Sequence, residues 1–310
     1  MISMILVPLS VGLTLLGSVQ DDVTSFSGKT PESAKVNGWL IRQQRVQRFV
    51  AQKLAGRTVN QVAMQRLNSE ALEHLVRRQV IIEYLKTTRF WPRGGTVEMR
   101  VSQFGKRLEQ VDKNLRQHLL ENGLTRAELE NEIGWEVAWK QFLQDWLSEE
   151  RLDEFYQRRH REFDGTRIKV AHLVLRAKEG EGPVDVFQRA ESIRDQVRLG
   201  ESTWAAAVGK HSLAASSRQE DGLLGWIGFD GPMSPEFSQA AFQLDPGQIS
   251  PPVATSAGVH LIKCLEIDAG SAGRKDIEPA LRAVLTEEMF HRLAEQQRSE
   301  FDIQYDPAGG

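Results

Sequence analysis

Between Val36 and about Phe163, apolar residues recur every three or four positions with few glycine or proline breaks, a spacing that predicts one helix after another. Ile41, Val46, Phe49 and Val50 mark a first stripe; Leu67, Leu72, Leu75, Val76, Ile81, Ile82 and Leu85 mark a longer one. Trp91-Pro92-Arg93-Gly94-Gly95 interrupts the pattern, because proline removes a backbone donor and the glycines permit a turn. A helix is then predicted over about Thr96 to Glu121, closed by Gly123. Thr125-Arg126-Ala127-Glu128 has the form of a capping box, in which residues 125 and 128 satisfy each other's backbone donors at the next helix start. Trp135, Trp139, Phe142 and Trp146 share one face of that helix, a stripe that core packing accounts for; a cradle for unfolded chains is the alternative. Ser148-Glu149-Glu150 opens a further helix through Tyr156 and His160, with acids in the first turn and the basic Arg158-Arg159-His160-Arg161 at its end, both complementing the helix dipole.

At Gly165 the periodicity changes. Arg167 to Leu175 is rich in β-branched and aliphatic residues and predicts a strand. A loop from Lys178 to Pro183 leads into a helix with Phe187, Ala190, Ile193 and Val197 on one face, and a short helix follows around Trp204 to Val208. After the Gly-rich Gly222 to Trp226 stretch, Pro235-Glu236-Phe237 opens another short helix reaching Phe242, and Val259 to Ile267 closes the region as a strand. Strand, helices, strand and strand in this order describe an α+β unit of roughly 100 residues, an ordinary domain size. A polar linker, Asp268 to Lys275, precedes a closing amphipathic helix from about Ile277 to Phe301.

Composition narrows the function classes. The 310 residues are 40% hydrophobic and 26% charged, with a formal net charge of −3, the profile of a globular chain and not of a disordered one. So small a net charge argues against a general polyanion binder, and nucleic acid is not expected as a partner. Cys264 is the sole cysteine, which excludes an intramolecular disulfide framework and a cysteine-rich zinc site. Residues 1–20 begin with an uncharged, mostly apolar stretch that stops before Asp21 and Asp22, and the expectation is a signal peptide or membrane anchor and a location in the cell envelope. It lacks the basic flank of an ordinary signal peptide and has no following cysteine for lipid attachment. The expected organisation is thus 1–20 as leader or anchor, 25–165 as a helical domain, 166–268 as the α+β domain and 276–303 as a helix packing back on the helical domain.

Three phrases in the α+β region belong together. They are Val170 to Leu175 with His172; Gly222-Leu223-Leu224-Gly225-Trp226 with Gly231 to Phe242; and Pro252 to Lys263, which Leu244-Asp245-Pro246-Gly247-Gln248-Ile249-Ser250 introduces. As an ordered set they closely resemble the parvulin family of peptidyl-prolyl cis/trans isomerases over about Arg167 to Ile267. The preceding helices and the closing one look like the exported foldases of the SurA and PrsA type. The resemblance implies a parvulin-like domain, a small antiparallel sheet with surrounding helices, inserted in an all-α chaperone-like domain, the whole being α+β. It also implies prolyl isomerisation of unfolded, exported polypeptides. Leu224, Met233 and Phe237 would line the proline pocket, and His172, His260, Ser212 and Thr255 would form the catalytic group. No cofactor and no metal are implied, since rotation about an amide needs neither; His172, His211 and His260 lack metal-ligand spacing.

One position departs from the family. A Cys or Asp usually lies two residues after a Ser and faces the reacting bond, whereas here Ser212 is followed by Leu213, Ala214 and Ala215. Ser216, Ser217 or Asp221 are the candidates to compensate, and weak or absent isomerase activity is the expectation, with the pocket retained. Three functions stay open at this point: an isomerase and folding chaperone; an ATP-independent holdase with a degraded parvulin unit; and a scaffold for one defined partner. Both histidines also fit as satisfied core residues, and Cys264 as a small buried hydrophobe. Oligomeric state is left open.

Overall fold

The structure is a computed structural model that describes residues 31–307; the leader or anchor expected at residues 1–20 lies outside the described residues. In chain order the elements are strands β1 (Pro31–Val36) and β2 (Trp39–Ile41), then helices α1 (Gln43–Leu54), α2 (Gln61–Lys86), α3 (Thr96–Glu109), α4 (Leu115–Glu121), α5 (Arg126–Trp146) and α6 (Glu149–Arg159). There follow strand β3 (Arg167–Leu175), helices α7 (Pro183–Arg198), α8 (Trp204–His211) and α9 (Ala215–Arg218), and strand β4 (Leu223–Gly228). Helix α10 (Pro235–Phe242), strands β5 (Val253–Thr255) and β6 (Gly258–Asp268), helix α11 (Arg274–Arg298) and strand β7 (Ile303–Pro307) follow in the described residues. The described residues form two compact units: residues 149–283, and residues 31–148 together with 284–307. No helix among the described residues is long and apolar enough to cross a membrane.

The second of these units is helical but not all-α, which corrects the expectation. Asn37 and Gly38, at φ +49° and +79°, turn β1 onto β2 in the left-handed conformations that a tight hairpin needs, and β7 pairs with the other edge of β1. This three-stranded antiparallel sheet, ordered β2-β1-β7, covers a core of Val36, Ile41, Val46, Val50, Leu72 and Leu75. A second correction concerns the helix expected over 96–121. It breaks into α3 and α4, because Asp112 turns to φ +56° and the Asn114 side chain caps a new start, accepting from the Gln117 amide at 2.8 Å. The capping box at Thr125 and Glu128 forms as the residues indicate, and Arg42 donates to both oxygens of the Glu128 carboxylate. Trp135, Trp139 and Phe142 are buried; Trp135 and Trp139 stack at 5.0 Å, and Phe290 of α11 meets both edge-on. The aromatic stripe is therefore core. Glu132, one residue on from the buried Asn131, joins Arg45 of α1 to Arg78 of α2.

The 149–283 unit holds a four-stranded antiparallel sheet in the order β4-β3-β6-β5. Alternation along β3 and β6 sends Leu173, Leu175, Val259 and Leu261 to one face, against Ala190 and Ile193 of α7 and Val208 of α8. Val170, Ile262 and Cys264 go to the other face, against Phe237, Ala241 and Phe242 of α10. Cys264 is fully buried, and burial pushes its thiol up, as befits a packing residue. Helix α6 belongs to this unit: Arg161, just beyond it, donates to the Leu244 carbonyl at 3.1 Å and pairs with Asp245 at 3.0 Å.

Candidate functional site

The two histidines meet because of strand register. His172 on β3 lies opposite Ile262 on β6, and Val174 lies opposite His260, so the histidines are diagonal neighbours on one sheet face. Their rings come to 5.4 Å, centroid to centroid. Phe237, delivered from the first turn of α10 where Ser234 caps the helix, stands edge-on to both, 6.2 Å from His172 and 5.5 Å from His260. Half-buried Leu224 and Met233 pack on the cluster that contains Phe237.

Each imidazole is held by one hydroxyl. Thr255, in the hairpin joining β5 to β6, places Oγ1 at 2.8 Å from Nε2 of His260 and also accepts from the Ala257 amide at 3.1 Å. Ser217, in the turn formed by α9, places Oγ at 3.0 Å from Nε2 of His172. The same turn grips the His172 backbone, whose amide donates to the Gly222 carbonyl at 2.8 Å, while the Gly222 amide donates to the Ser217 carbonyl. Nδ1 of both rings is buried and has no protein partner, so each ring has one nitrogen fixed and one uncommitted. Burial lowers the pKa of both; for His260 burial, with the neighbouring His172 adding to it, brings the value to about 4. Both imidazoles are therefore neutral near neutral pH.

A pH dependence follows. From pH about 6.5 down to about 4 the unfolded chain binds a proton that folded His260 refuses, so the unfolded state binds more protons and stability falls as the pH falls through that window. Burial lowers the pKa of His74, to about 3, and of His172 as well, so urea unfolding of the wild type should show the summed loss and His260→Gln should remove only part of it; an unchanged slope in the variant would contradict the assignment.

Among the residues singled out from sequence, the structure brings His172, His260, Thr255 and Phe237 together, with Leu224 and Met233 against the same cluster. Ser212 is not brought in. It is buried, with its hydroxyl accepting from the backbone amides of Val174 at 3.2 Å and Ala214 at 3.4 Å, which ties the end of α8 to the end of β3. Of the three named compensators, Ser217 is the one that reaches a histidine. Asp221 sits at φ +53° and its carbonyl accepts from the Trp204 indole at 2.9 Å. A serine on a four-residue helix carries no spacing signal, so its partnership with His172 shows only in three dimensions.

The Rotamase family, described as the PPIC-type PPIASE domain, matches residues 172–266. Foldase protein PrsA of Oceanobacillus iheyensis is 29% identical over 154 residues, 50% of this chain and 46% of that protein. Chaperone SurA of a Polaromonas species is 30% identical over 144 residues, 45% of this chain and 30% of that protein. The chain thus spans less than half the length of either relative. The crystal structure of the peptidylprolyl isomerase PrsA from Bacillus anthracis is 21% identical, with 74% of this chain and 96% of that one covered, at a TM-score of 0.34. The family match and the two relatives together identify residues 172–266 as a parvulin-type, PPIC-type peptidyl-prolyl isomerase domain, carried in a chain related to the PrsA and SurA foldases.

Proposed function

We propose that this protein is a peptidyl-prolyl cis/trans isomerase and folding chaperone acting on unfolded, exported polypeptides in the cell envelope. The observation that carries the reading is the group of two neutral, hydroxyl-held histidines packed against Phe237 within a PPIC-type domain. Isomerisation has to overcome amide resonance, a barrier of about 18–20 kcal/mol, and needs no covalent intermediate. The site has to bind the twisted amide better than either planar form. Phe237, Met233 and Leu224 supply an apolar contact for the proline ring, and the rings of His172 and His260 set the polar environment of the rotating bond. Ser217 and Thr255 act by positioning: each fixes a ring, so the field at the amide is arranged before substrate arrives. No thiol or carboxylate is needed at Ala214–Ala215 in this scheme, since the chemistry is conformational. The helical unit is the client-holding part, and export places the chain where unfolded clients arrive.

NMR exchange spectroscopy on short proline peptides tests this. The wild type should exceed the uncatalysed rate, and Met233→Ala should lower kcat/KM by at least about tenfold, equivalent to roughly 1.4 kcal/mol of transition-state binding. Met233 is half-buried, so its truncation perturbs packing less than that of the buried Phe237. A wild type with no rate above background, whatever residue precedes proline, would overturn the isomerase reading.

A further inference from the structure

A groove of about 950 Å³ lies in the 149–283 unit between the end of α7, the end of α10 and the segment 247–253, and none of the histidine-cluster residues lines it. Its apolar surface includes Leu244, Ile249 and Val253, and its charged side chains are Arg194 and Arg198, one turn apart on α7, and Lys263 on β6. Among the described residues no aspartate or glutamate lines it. The acids that pair with the two arginines, Glu191 at 2.9 Å and Asp195 at 3.5 Å, precede them on α7 and stay outside the lining. Nε of Arg194 is buried without a partner, and Lys263 lies over the Trp204 ring at 5.9 Å. Three cations over an aliphatic floor are complementary to carboxylates interleaved with apolar side chains.

Strand addition is not how such a ligand would bind. The segment 247–250 already covers this side of β6, with Gly247 and Ser250 donating to Cys264 and Ile262 and the Cys264 amide donating to Gln248. Recognition has to come from side chains. We propose that this groove binds an extended polypeptide segment in which carboxylates alternate with large apolar side chains, at a place separate from the histidine cluster. It gives an unfolded client a second hold that requires no proline.

The test uses the full chain and a fluorescent, proline-free peptide, acetyl-Glu-Leu-Glu-Phe-Glu-amide, with a counterpart carrying Lys for Glu. Anisotropy should show saturable binding of the acidic peptide, weakening as salt shortens the Debye length, and none of the basic one. Arg198→Glu, at an exposed position, and Lys263→Met, which keeps an unbranched side chain beside Trp204 and removes the charge, should together weaken binding at least about tenfold. Isomerisation of a short proline peptide should be unchanged in both variants, so failure here is distinct from failure of the isomerase reading. No binding to the wild type, equal binding of the basic peptide, or equal binding by the variants with an unchanged thermal midpoint would each overturn the proposal.

Discussion

Gly222→Ala is expected to cost the 149–283 unit about 3 kcal/mol or more and to remove isomerase activity, although Gly222 contributes no side chain to the site. Two penalties combine. Gly222 holds φ +80°, and a side chain forced into a sparsely populated backbone region costs about 1–3 kcal/mol by itself. The added Cβ would also run into the backbone carbonyl oxygen of His172, which is part of a β-strand and cannot swing away as a flexible side chain could. Relief requires moving either the turn that carries Ser217 or the strand that carries His172, and each movement separates the ring from its hydroxyl. Thermal unfolding should show the fall in midpoint, and exchange spectroscopy the loss of rate. An alanine variant with wild-type midpoint and wild-type rate would mean that the turn does not position His172 as described.

The second large effect is expected at Glu132→Gln. Burial works to raise the pKa of this carboxyl, but Arg78 and Arg45 outweigh it and hold the group below the usual carboxylate range. Removing the charge leaves two guanidinium groups from α1 and α2 without the carboxylate that bridges them, Glu128 and Glu136 acting only at longer range, and breaking a buried pair in this way costs about 3–5 kcal/mol. Because parts of all three side chains remain accessible, the lower end of that range is expected. Arg78 also lies over the Trp135 ring at 5.1 Å, so the variant should disturb the aromatic core as well, readable as a change in tryptophan fluorescence. The sign with pH follows from the lowered pKa: the contribution is full above about 4.5 and is lost as the pH falls through the folded-state value, a dependence the Gln variant should lack. A variant as stable as wild type at neutral pH would show that Arg45 and Arg78 find other partners.

The parts of this molecule legible in sequence were those whose signals are local. The capping box at Thr125, the strand at Arg167–Leu175 and the helix opened by Pro235 each rest on residues within a few positions of one another. His172 and His260 could be paired in advance only because an ordered set of phrases around them resembles a family; nothing in their own spacing joins them. The hairpin at Asn37-Gly38 was missed even though Asn-Gly is a strong turn signal. Its strand, Pro31–Val36, contains Pro, Glu, Ser and Lys, which read as loop, and the strand that completes its pairing is β7, at the far end of the described chain. Which of Ser216, Ser217 and Asp221 meets His172, and the break at Asp112–Asn114, were hidden for a related reason: small polar residues become informative once the backbone shows which orphan group they satisfy.

The β1–β7 pairing fixes an order of events during synthesis. Ser33 and Asp306, bonded across the two strands, are 273 positions apart in sequence. The 149–283 unit is continuous and can close its sheet as soon as it has emerged, whereas β1 waits for β7 with one edge unpaired, and the core around Trp135 waits for Phe290. Contacts of such separation form late and slowly. For a growing chain this means that an isomerase domain is complete while the helical unit still exposes a strand edge and apolar surface, the features that draw unfinished chains into aggregates. The protein is then, for a time, in the same condition as the clients proposed for it, and its own folding rate should depend on how quickly β7 reaches β1.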